Sequence, residues 1–571
     1  MTQTSDQTRS AAPANAGGMS GLLRSSAVMA TGTLASRVTG FLRTAALVAA
    51  LGTQGLGDAY NVAYQIPFTV YDLLLGGILV SVIVPLIVRA RERERTVGRE
   101  VGSRPPVRGL ETTQYEQRLL TLAMAVLGAI AVLGVLLAPW LISLYGGGLT
   151  GHERDLAVTL TRFFLPQVFF FGIGAFGGAI LNVRGRFGAP MWTPVINNIV
   201  VIGVAGIFIA IAAHGVGPET ITVGEVRLLG LGTTAGIVLQ TAGLLVSLHT
   251  AGFRWRLRLD FRGGELREVG RMAGWTIVYV LATQAAFVMI TNLATRAGRQ
   301  GRLEGLAGVG FAPYFNAYQL FQLPYAIVAV SVITALLPRM STHAAERRFG
   351  AVRDDFSTGL RTAAVLLIPG AILLFVLGAE VSTVVFAHHN TSTGDALVIA
   401  NVLRGFAVAL VPFAAFQLML RVFYALGDTR TPALLAVLNA MVSVVLNLMV
   451  FALLPTGQVI TGMAVAFGAA YLIGAFAAWW ILRGRMGGLD GRRILRTHGL
   501  LTAAAFPGCV AAYAVHSLVD ALWGDGQSPA LLSLAAGSAL FGVLYLQFAQ
   551  VLRISELESL HTQIRGRLRR A

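Results

Sequence analysis

The sequence predicts an all-α polytopic membrane protein with 14 transmembrane helices, in which two six-helix lobes are followed by two further helices. Three observations support this fold class. The 571 residues are 55% hydrophobic and only 12% charged, whereas soluble chains average about 25% charged residues, so much of the folded surface must face lipid. Fourteen apolar segments are long enough to cross a bilayer. Motifs of the first half of the chain recur in the second half.

The apolar segments follow a short polar stretch. Residues 1–20 are rich in Ala, Thr, Ser and Gly and predict a disordered cytoplasmic tail, not a cleaved signal. At about 1.5 Å per residue, each later segment covers a hydrocarbon core of about 30 Å. The predicted spans lie at 26–51, 68–90, 118–144, 156–183, 191–213, 227–250, 272–295, 308–338, 362–387, 396–425, 431–454, 459–482, 498–520 and 529–552.

An internal repeat divides the spans into two lobes. Three residues, Ala63-Tyr64-Gln65, recur as Ala317-Tyr318-Gln319. A second set recurs 242 residues later: Arg162, Gly185, Pro190 and Asn197 as Arg404, Gly427, Pro432 and Asn439. A repeat of six spans restores the original orientation, so we expect a pseudo-twofold axis along the membrane normal.

This repeat sets the predicted domain boundaries. The N-lobe covers 21–250 with spans 1–6, and the C-lobe covers 251–490 with spans 7–12. Spans 13 and 14, at 491–552, lie outside the repeat. Residues 553–571 are basic, with the leucine spacing of an amphipathic tail that lies on the membrane surface.

The positive charge is placed as membrane topology requires. All 44 basic residues are arginine, because the chain contains no lysine, and the formal net charge is +17. Most arginines lie in alternate loops, which predicts that both termini are cytoplasmic. The clusters at 89–118 and 254–271 are expected to contact anionic membrane lipids. This placement argues against nucleic acid as a partner.

Arginines also lie inside the predicted spans: Arg37, Arg43, Arg162, Arg404 and Arg421. Each would cost roughly 2.5–3.5 kcal/mol at the bilayer centre, so we expect them to face inward between the lobes. Arg37 and Arg43 are separated by about 9 Å along one helix, a spacing that suits a ligand with two anionic groups, such as a pyrophosphate with a further carboxylate. Snorkelling at the helix ends, or pairing with Asp58 or Asp72, is the alternative.

Two prolines predict broken helices beside this cavity. Pro67 follows Asp58 and is expected to break its helix, and Pro324 makes a matching break in the second copy. Freed backbone groups at such breaks line polar transport sites. Both prolines, together with Arg162 and Arg404, are therefore candidate cavity or gate residues.

The sequence carries no sign of a cofactor or a metal site. His388-His389 has no carboxylate or cysteine at metal-ligand spacing, and the single cysteine, Cys509, permits no internal disulfide. The absence of lysine excludes a lysine Schiff base and a Walker-type ATPase, and we find no Gly-rich phosphate loop and no Ser-His-Asp arrangement. We therefore expect a transporter, not an enzyme.

Several motifs resemble the MurJ/MviN family of lipid II flippases. They are the stretch Ser-Arg-Val-Thr-Gly-Phe-Leu-Arg at 36–43, Asp58-Ala59-Tyr60, Pro67, Leu181-Asn182, Gly185-Arg186-Phe187, Pro190, Thr193-Pro194, Asn197, and Gly-Asp-Thr-Arg-Thr-Pro at 427–432. The resemblance implies the fold of the multidrug/oligosaccharidyl-lipid/polysaccharide (MOP) exporter superfamily. That fold has a central cationic cavity and a hydrophobic groove beside helices 13 and 14 for a lipid tail.

The resemblance also implies a function and a site. The protein is expected to move the undecaprenyl-pyrophosphate-linked peptidoglycan precursor, lipid II, from the inner to the outer leaflet of the bacterial cytoplasmic membrane by alternating access. It is expected to act as a monomer that associates with the cell-wall synthesis machinery. Arg37 and Arg43 match arginines that hold the pyrophosphate, Asp58 matches an acid important for transport, and Ser36 accompanies them at a helix bend. The predicted substrate-binding residues are Ser36, Arg37, Arg43, Asp58, Asn61, Asp72 and Gln319.

The chain departs from the family pattern at three places. Tyr71-Asp72 stands where the family commonly has an arginine pair, and Gln319 stands where it has an arginine. Ile290 stands at the position of an acid implicated in sodium binding, so sodium or proton coupling is left open. The membrane potential, worth ~2.3 kcal/mol per charge per 100 mV, is the expected driving force.

Three alternatives remain at the level of sequence. A cation-coupled multidrug exporter, or an exporter of another lipid-linked oligosaccharide, shares the expected fold, although drug binding would favour acids over arginines in the cavity. A membrane glycosyltransferase would need catalytic acids, which the short loops with Glu153, Asp155, Glu219 and Glu225 lack at suitable spacing. A scaffold without transport activity would tolerate loss of Arg37 and Arg43.

Overall fold

The computed structural model describes residues 16–72, 110–213, 215–258 and 263–557, and these residues form helices joined by short loops. A π-helical turn, Tyr325–Ala329, follows the α-helix that ends at Pro324. The α-helices are Ala16–Leu51 (α1), Leu56–Asp72 (α2), Leu110–Tyr145 (α3), Gly151–Phe164 (α4), Gln167–Val183 (α5), Gly188–Ile211 (α6), Val223–Thr250 (α7), Gly263–Leu303 (α8), Phe311–Pro324 (α9), Val330–Ala345 (α10), Phe349–Val376 (α11), Gly378–Phe386 (α12), Thr393–Ala425 (α13), Arg430–Leu453 (α14), Thr456–Met486 (α15), Gly491–Trp523 (α16) and Gln527–Val551 (α17).

The helices confirm the predicted all-helical membrane fold. Thirteen segments of the described residues are long and apolar enough to cross a membrane, and they correspond to the predicted spans other than the second. Most of that second span, 68–90, lies outside the described residues. The count of 14 therefore stays a prediction.

The same helix pairs pack together in each lobe. In the first lobe α1 packs on α6, α6 on α7, and α2 on α4, and in the second lobe α8 packs on α14, α14 on α15, and α9 on α13. Helices α16 and α17 pack on each other, and they contact the second lobe through α11 and α12. The described helices therefore pack as two copies of one repeated unit, with an added pair of helices.

The repeated Gly185 and Gly427 have a structural role. Both have a positive φ, +74° and +76°, in the turns that follow α5 and α13, where glycine is the residue with the lowest steric cost. After the second turn, Asp428 accepts hydrogen bonds from Thr431 N at 2.9 Å and from Arg485. These motifs therefore close helix ends, which explains why they recur at one spacing.

The prolines differ in their effect on the helices. Pro166 separates α4 from α5 within the fourth span, and Pro324 precedes the π-helical turn in the eighth span. The expected break at Pro67 is wrong, because α2 continues through Pro67 to Asp72. Membrane helices tolerate proline when neighbouring groups satisfy the freed backbone carbonyl.

The two lobes are joined at one end of the molecule, where loops 52–55, 146–150, 304–310 and 387–392 meet. We call it the arginine-poor end. There Asn390 Nδ2 donates to Ala50 O at 2.8 Å, and Asn292 Nδ2 donates to Leu144 O at 3.0 Å. An ion pair of 2.7 Å joins Arg302 to Glu153. These contacts hold the lobes together beyond the cavity described below.

The chain termini lie largely outside the described residues. Helix α1 begins at Ala16, five residues inside the segment predicted as a flexible tail, where Ala and Met favour helix. At the other terminus Glu556 forms a buried ion pair with Arg361 of α11. The predicted amphipathic character of 558–571 lies outside the described residues.

Candidate functional site

A central cavity lies between the two lobes and has a volume of about 570 Å³. Helices α1 and α2 line it from the N-lobe, and α8, α9, α13, α14 and α15 line it from the C-lobe. Elements of both repeats therefore meet at one site, and a movement of one lobe against the other would reshape its walls.

Two arginines of α1 lie on the N-lobe wall. Arg43 Nη1 donates a weak hydrogen bond to the Tyr64 hydroxyl at 3.3 Å, and its guanidinium carbon lies 5.5 Å from the centre of that ring. Its Nε is buried and has no hydrogen-bond partner. Arg37 is exposed on the same wall. Among the described side chains neither arginine forms an ion pair, so the described part of this wall offers positive charge to an anion.

Asp58 lies off both cavity linings that the described residues form and contacts the second lobe. Its side chain is fully buried, and Oδ1 accepts a 2.6 Å hydrogen bond from Ala312 N at the start of α9. The first N–H groups of a helix lack partners within the helix, and a carboxylate there is stabilised by the helix dipole. Asp58 of the N-lobe therefore caps a C-lobe helix at the arginine-poor end. It does not neutralise Arg37 or Arg43.

Gly310 makes room for this contact. A Cβ atom added at Gly310 would lie 2.4 Å from Asp58 Oδ2, closer than any real contact. Asp58 Oδ2 itself is buried without a partner. The close approach of the two lobes at this point therefore depends on a residue without a side chain.

Asn61 and Gln319 lie in a small cavity beside the central one. This cavity, of about 20 Å³, is also lined by Arg43 and leads toward the arginine-poor end. Gln319 lies on the lining of both cavities. Ser36 is absent from both linings, and its carbonyl accepts a hydrogen bond from Asn198 Nδ2 at 3.1 Å. The Asp72 side chain lies outside the described part of the structure.

The other three intramembrane arginines are absent from the described lining of the central cavity. Arg162 is exposed on α4, away from the cavity lining. Arg404 Nε donates to Phe375 O at 3.2 Å, in the last turn of α11, where a cation is favoured by the helix dipole. Arg421 lies 5.7 Å from the centre of the Tyr424 ring. A backbone carbonyl therefore compensates Arg404, and an aromatic ring compensates Arg421, and neither arginine needs the cavity for this.

Apart from Gln319, sequence reasoning missed the C-lobe wall of the cavity. That wall carries aromatic rings and amide side chains from five helices and the π-helical turn, including Tyr279, Tyr318, Tyr325, Phe413, Tyr471, Gln284, Gln417 and Asn439. Helices that are apolar on every side show no periodic signal for the face that lines a cavity. The amides inside apolar spans were the available signal.

A second, apolar cavity lies where α11, α13 and α16 meet. Its volume is about 320 Å³, and its lining includes Phe375, Val408, Phe506 and Cys509. It adjoins the thirteenth span, the region for which the resemblance implies a groove for a lipid tail. Its apolar lining suits a hydrocarbon chain.

Comparisons with known proteins point to one family. The family model described as "Lipid II flippase MurJ" matches residues 47–534. A protein of Rhizobium meliloti named "Probable lipid II flippase MurJ" is 27% identical over 525 residues, which cover 90% of each chain. A protein of Synechocystis with the same name is 24% identical over 545 residues, covering 95% of this chain and 97% of the relative.

Solved structures share the fold. A lipid II flippase MurJ in an inward closed conformation superposes with a TM-score of 0.69 at 19% identity, covering 92% of this chain and 99% of the other. An inward-facing multidrug resistance MATE family transporter of the MOP superfamily gives a TM-score of 0.62 at 16% identity, covering 80% and 96%. At these identities the likeness shows the fold alone.

Proposed function

This chain belongs to the MurJ family of lipid II flippases, and from this we propose that it carries lipid II from the inner to the outer leaflet of the bacterial cytoplasmic membrane. The observation that supports the proposal most directly is the pair Arg37 and Arg43 on one wall of the interlobe cavity. Charge-assisted hydrogen bonds from guanidinium groups to phosphate oxygens are among the strongest in proteins. A diphosphate would compensate both charges at once.

The proposed transport cycle is alternating access. The positive-inside rule places the arginine-poor end outside the cell, so the contacts of Asp58, Asn390 and Arg302 close the outer side of the cavity. To release the headgroup outward, the lobes must separate there. The cap on α9 must then break, and contacts at the cytoplasmic side must replace it.

The apolar cavity at α11, α13 and α16 is proposed to hold the start of the undecaprenyl chain. Cys509 lines this cavity and is the chain's single cysteine. A lipid chain in the cavity should slow the reaction of Cys509 with a membrane-soluble maleimide. Lipid II and undecaprenyl pyrophosphate should both protect the thiol, and unchanged labelling with either lipid would contradict this placement.

The membrane potential is proposed to drive the return of the empty cavity. Arg37 and Arg43, which form no ion pair with the described side chains, carry positive charge that an inside-negative potential pulls toward the cytoplasm. Ile290 lies on the cavity lining, at the position where the family pattern has an acid, so this wall offers no carboxylate to sodium there.

The cavity lies within one chain, and a single copy suffices for the cycle. Association with cell-wall enzymes stays a prediction.

The multidrug exporter is not favoured. The MATE transporters resemble the chain in fold, at identities that carry no statement about substrate. A wall with Arg37 and Arg43 repels organic cations.

The test is flipping of fluorescent lipid II in proteoliposomes, read by dithionite quenching under an inside-negative potential. We expect the Arg37→Gln, Arg43→Gln double variant to lose flipping. Arg162→Gln is the matched control, because this arginine lies in a span but off the cavity wall, and it should flip normally. Full flipping by the double variant would contradict the proposal. Export of a cationic dye without movement of lipid II would favour the exporter instead.

A further inference from the structure

The two walls of the central cavity differ in chemistry. On the lining that the described residues form, the charged side chains are Arg37 and Arg43, and both belong to the N-lobe. The C-lobe contributes aromatic rings, amides and hydroxyls to this lining. One ligand in the cavity would therefore meet positive charge on one side and uncharged polar and aromatic groups on the other.

The aromatic rings of the C-lobe wall support one another. The Tyr325 and Phe413 rings lie 4.6 Å apart at 63°, Phe413 and Tyr471 lie 4.8 Å apart at 82°, and Phe467 and Tyr471 lie 4.6 Å apart at 49°. Tilted and edge-to-face pairs of this kind are favoured by the ring quadrupoles. The rings are thus held in place before a ligand arrives, which lowers the entropy lost on binding.

Unsatisfied amide oxygens lie among these rings. Asn439 is 8% exposed, lines the cavity, and its Oδ1 has no hydrogen-bond partner. Gln284 also lines the cavity with a buried Oε1 that lacks a partner. A buried acceptor without a donor destabilises the empty site. Both oxygens are turned away from the cavity space, and Asn439 Oδ1 lies beside Gly474 of α15. Each amide would therefore turn toward the cavity to accept a hydrogen bond from a ligand hydroxyl or N–H group.

The required ligand has flat apolar faces for the rings and several hydrogen-bond donors for the amides, and it carries no charge on that side. Sugar rings with acetamido groups meet all three conditions, because their C–H faces are slightly positive and their edges carry hydroxyl and N–H groups. A hydrocarbon tail would leave Asn439 and Gln284 unsatisfied. A volume of about 570 Å³ falls within the roughly 300–1,000 Å³ of pockets that enclose ligands of disaccharide size.

We propose that the C-lobe wall is a carbohydrate subsite that binds the sugar rings of the lipid-linked precursor, while the N-lobe arginines bind its diphosphate. This inference rests on the proposed function, since it divides one headgroup between the two walls. It also accounts for Gln319 in place of a family arginine: on the sugar side an amide replaces a charge. Rocking of the lobes would then act on both ends of the headgroup.

The test compares two probes that differ only in the sugar and peptide part, lipid II and undecaprenyl pyrophosphate, bound to the full chain in nanodiscs. We expect Tyr471→Leu to weaken lipid II binding roughly tenfold, which is about 1.4 kcal/mol, and to leave undecaprenyl pyrophosphate binding within about twofold. Asn439→Ala should weaken lipid II roughly two- to tenfold, as for one neutral hydrogen bond. Arg43→Gln should weaken both probes.

Phe476→Leu is the matched control, because Phe476 lies on the same helix as Tyr471 but is 67% exposed on its outer face, and it should change neither affinity. A thermal melt of each variant checks that it folds. If Tyr471→Leu does not fold, the comparison of the two probes is made with Asn439→Ala instead. Equal weakening of both probes by the C-lobe variants would overturn the carbohydrate subsite, as would equal affinity of both probes for the unaltered chain. Those results leave the flippase proposal standing. Binding of neither probe by the unaltered chain would refute both proposals.

Discussion

Replacement of Asp58 should open the arginine-poor end of the protein. The fully buried carboxylate accepts a 2.6 Å hydrogen bond from Ala312 N across the lobes. A hydrogen bond to a charged group is worth about 1.5–3 kcal/mol. If Asp58→Leu removes all of it, the closed state loses roughly 10- to 150-fold in population relative to the open state. Asp58→Asn keeps an acceptor and loses only the charge, so its effect should be smaller.

The assay is double electron–electron resonance between spin labels on the two lobes. Thr150 and Ala307 lie in exposed loops at the arginine-poor end, and labels there would report the separation of the lobes. Cys509→Ser removes the native thiol. We expect a short distance in the unaltered chain, a longer component in Asp58→Asn, and a larger one in Asp58→Leu. Identical distance distributions in all three proteins would refute the role of Asp58 as an interlobe cap.

Three further predictions concern stability and gating. Gly310→Ala places a Cβ atom 2.4 Å from Asp58 Oδ2, so it should lengthen the same spin-label distance, and no change would contradict the steric argument. Glu556→Leu leaves Arg361 buried without its partner and should lower the free energy of unfolding by about 3–5 kcal/mol, measured by denaturant titration in detergent. Burial raises the pKa of Asp428, but hydrogen bonds from Thr431 and Arg485 outweigh this effect, so the pKa lies below the usual value of an aspartate. Ionised Asp428 therefore stabilises the fold at pH values above the usual pKa of an aspartate, and this stabilisation is lost as the pH falls through the lower pKa of the folded state. Asp428→Asn should remove this contribution, so the melting temperature of the variant should fall less than that of the unaltered chain between about pH 5 and pH 2.

The spans and the repeat were predictable because long apolar segments and fixed motif spacing are one-dimensional signals. The direction in which a side chain points from such a helix is not. Arg43 and Arg404 look alike in sequence, each an arginine inside an apolar segment, yet Arg43 lines the cavity and Arg404 meets the last turn of α11. The difference lies in where a neighbouring helix happens to end, which only the packed structure reveals.

Asp58 shows a second limit of sequence reasoning. Its early position beside Arg37 and Arg43 suggested a countercharge or a substrate contact. Its partner is instead a backbone N–H of Ala312, 254 residues away along the chain. Backbone donors carry no residue signature, so no spacing rule predicts this contact. Gly310 permits this contact, yet nothing in the sequence distinguishes it from an ordinary loop glycine.

Helix α2 connects the cavity to the closed end. Tyr64 of α2 contacts the guanidinium of Arg43, and Asp58 of the same helix caps α9, whose residue Gln319 lines the cavity. An anion that draws Arg43 away from Tyr64 would act on α2, the helix that carries Asp58. Contacts between the ligand and Gln319 would act on α9, the helix whose N-terminus Asp58 caps. If this connection transmits energy, Arg43→Gln and Asp58→Asn should not add independently. A double-mutant cycle on the spin-label distance in the presence of undecaprenyl pyrophosphate measures their coupling, and values above about 0.5 kcal/mol mark interacting sites. Strict additivity would mean that diphosphate binding and outer closure are set by separate parts of the molecule.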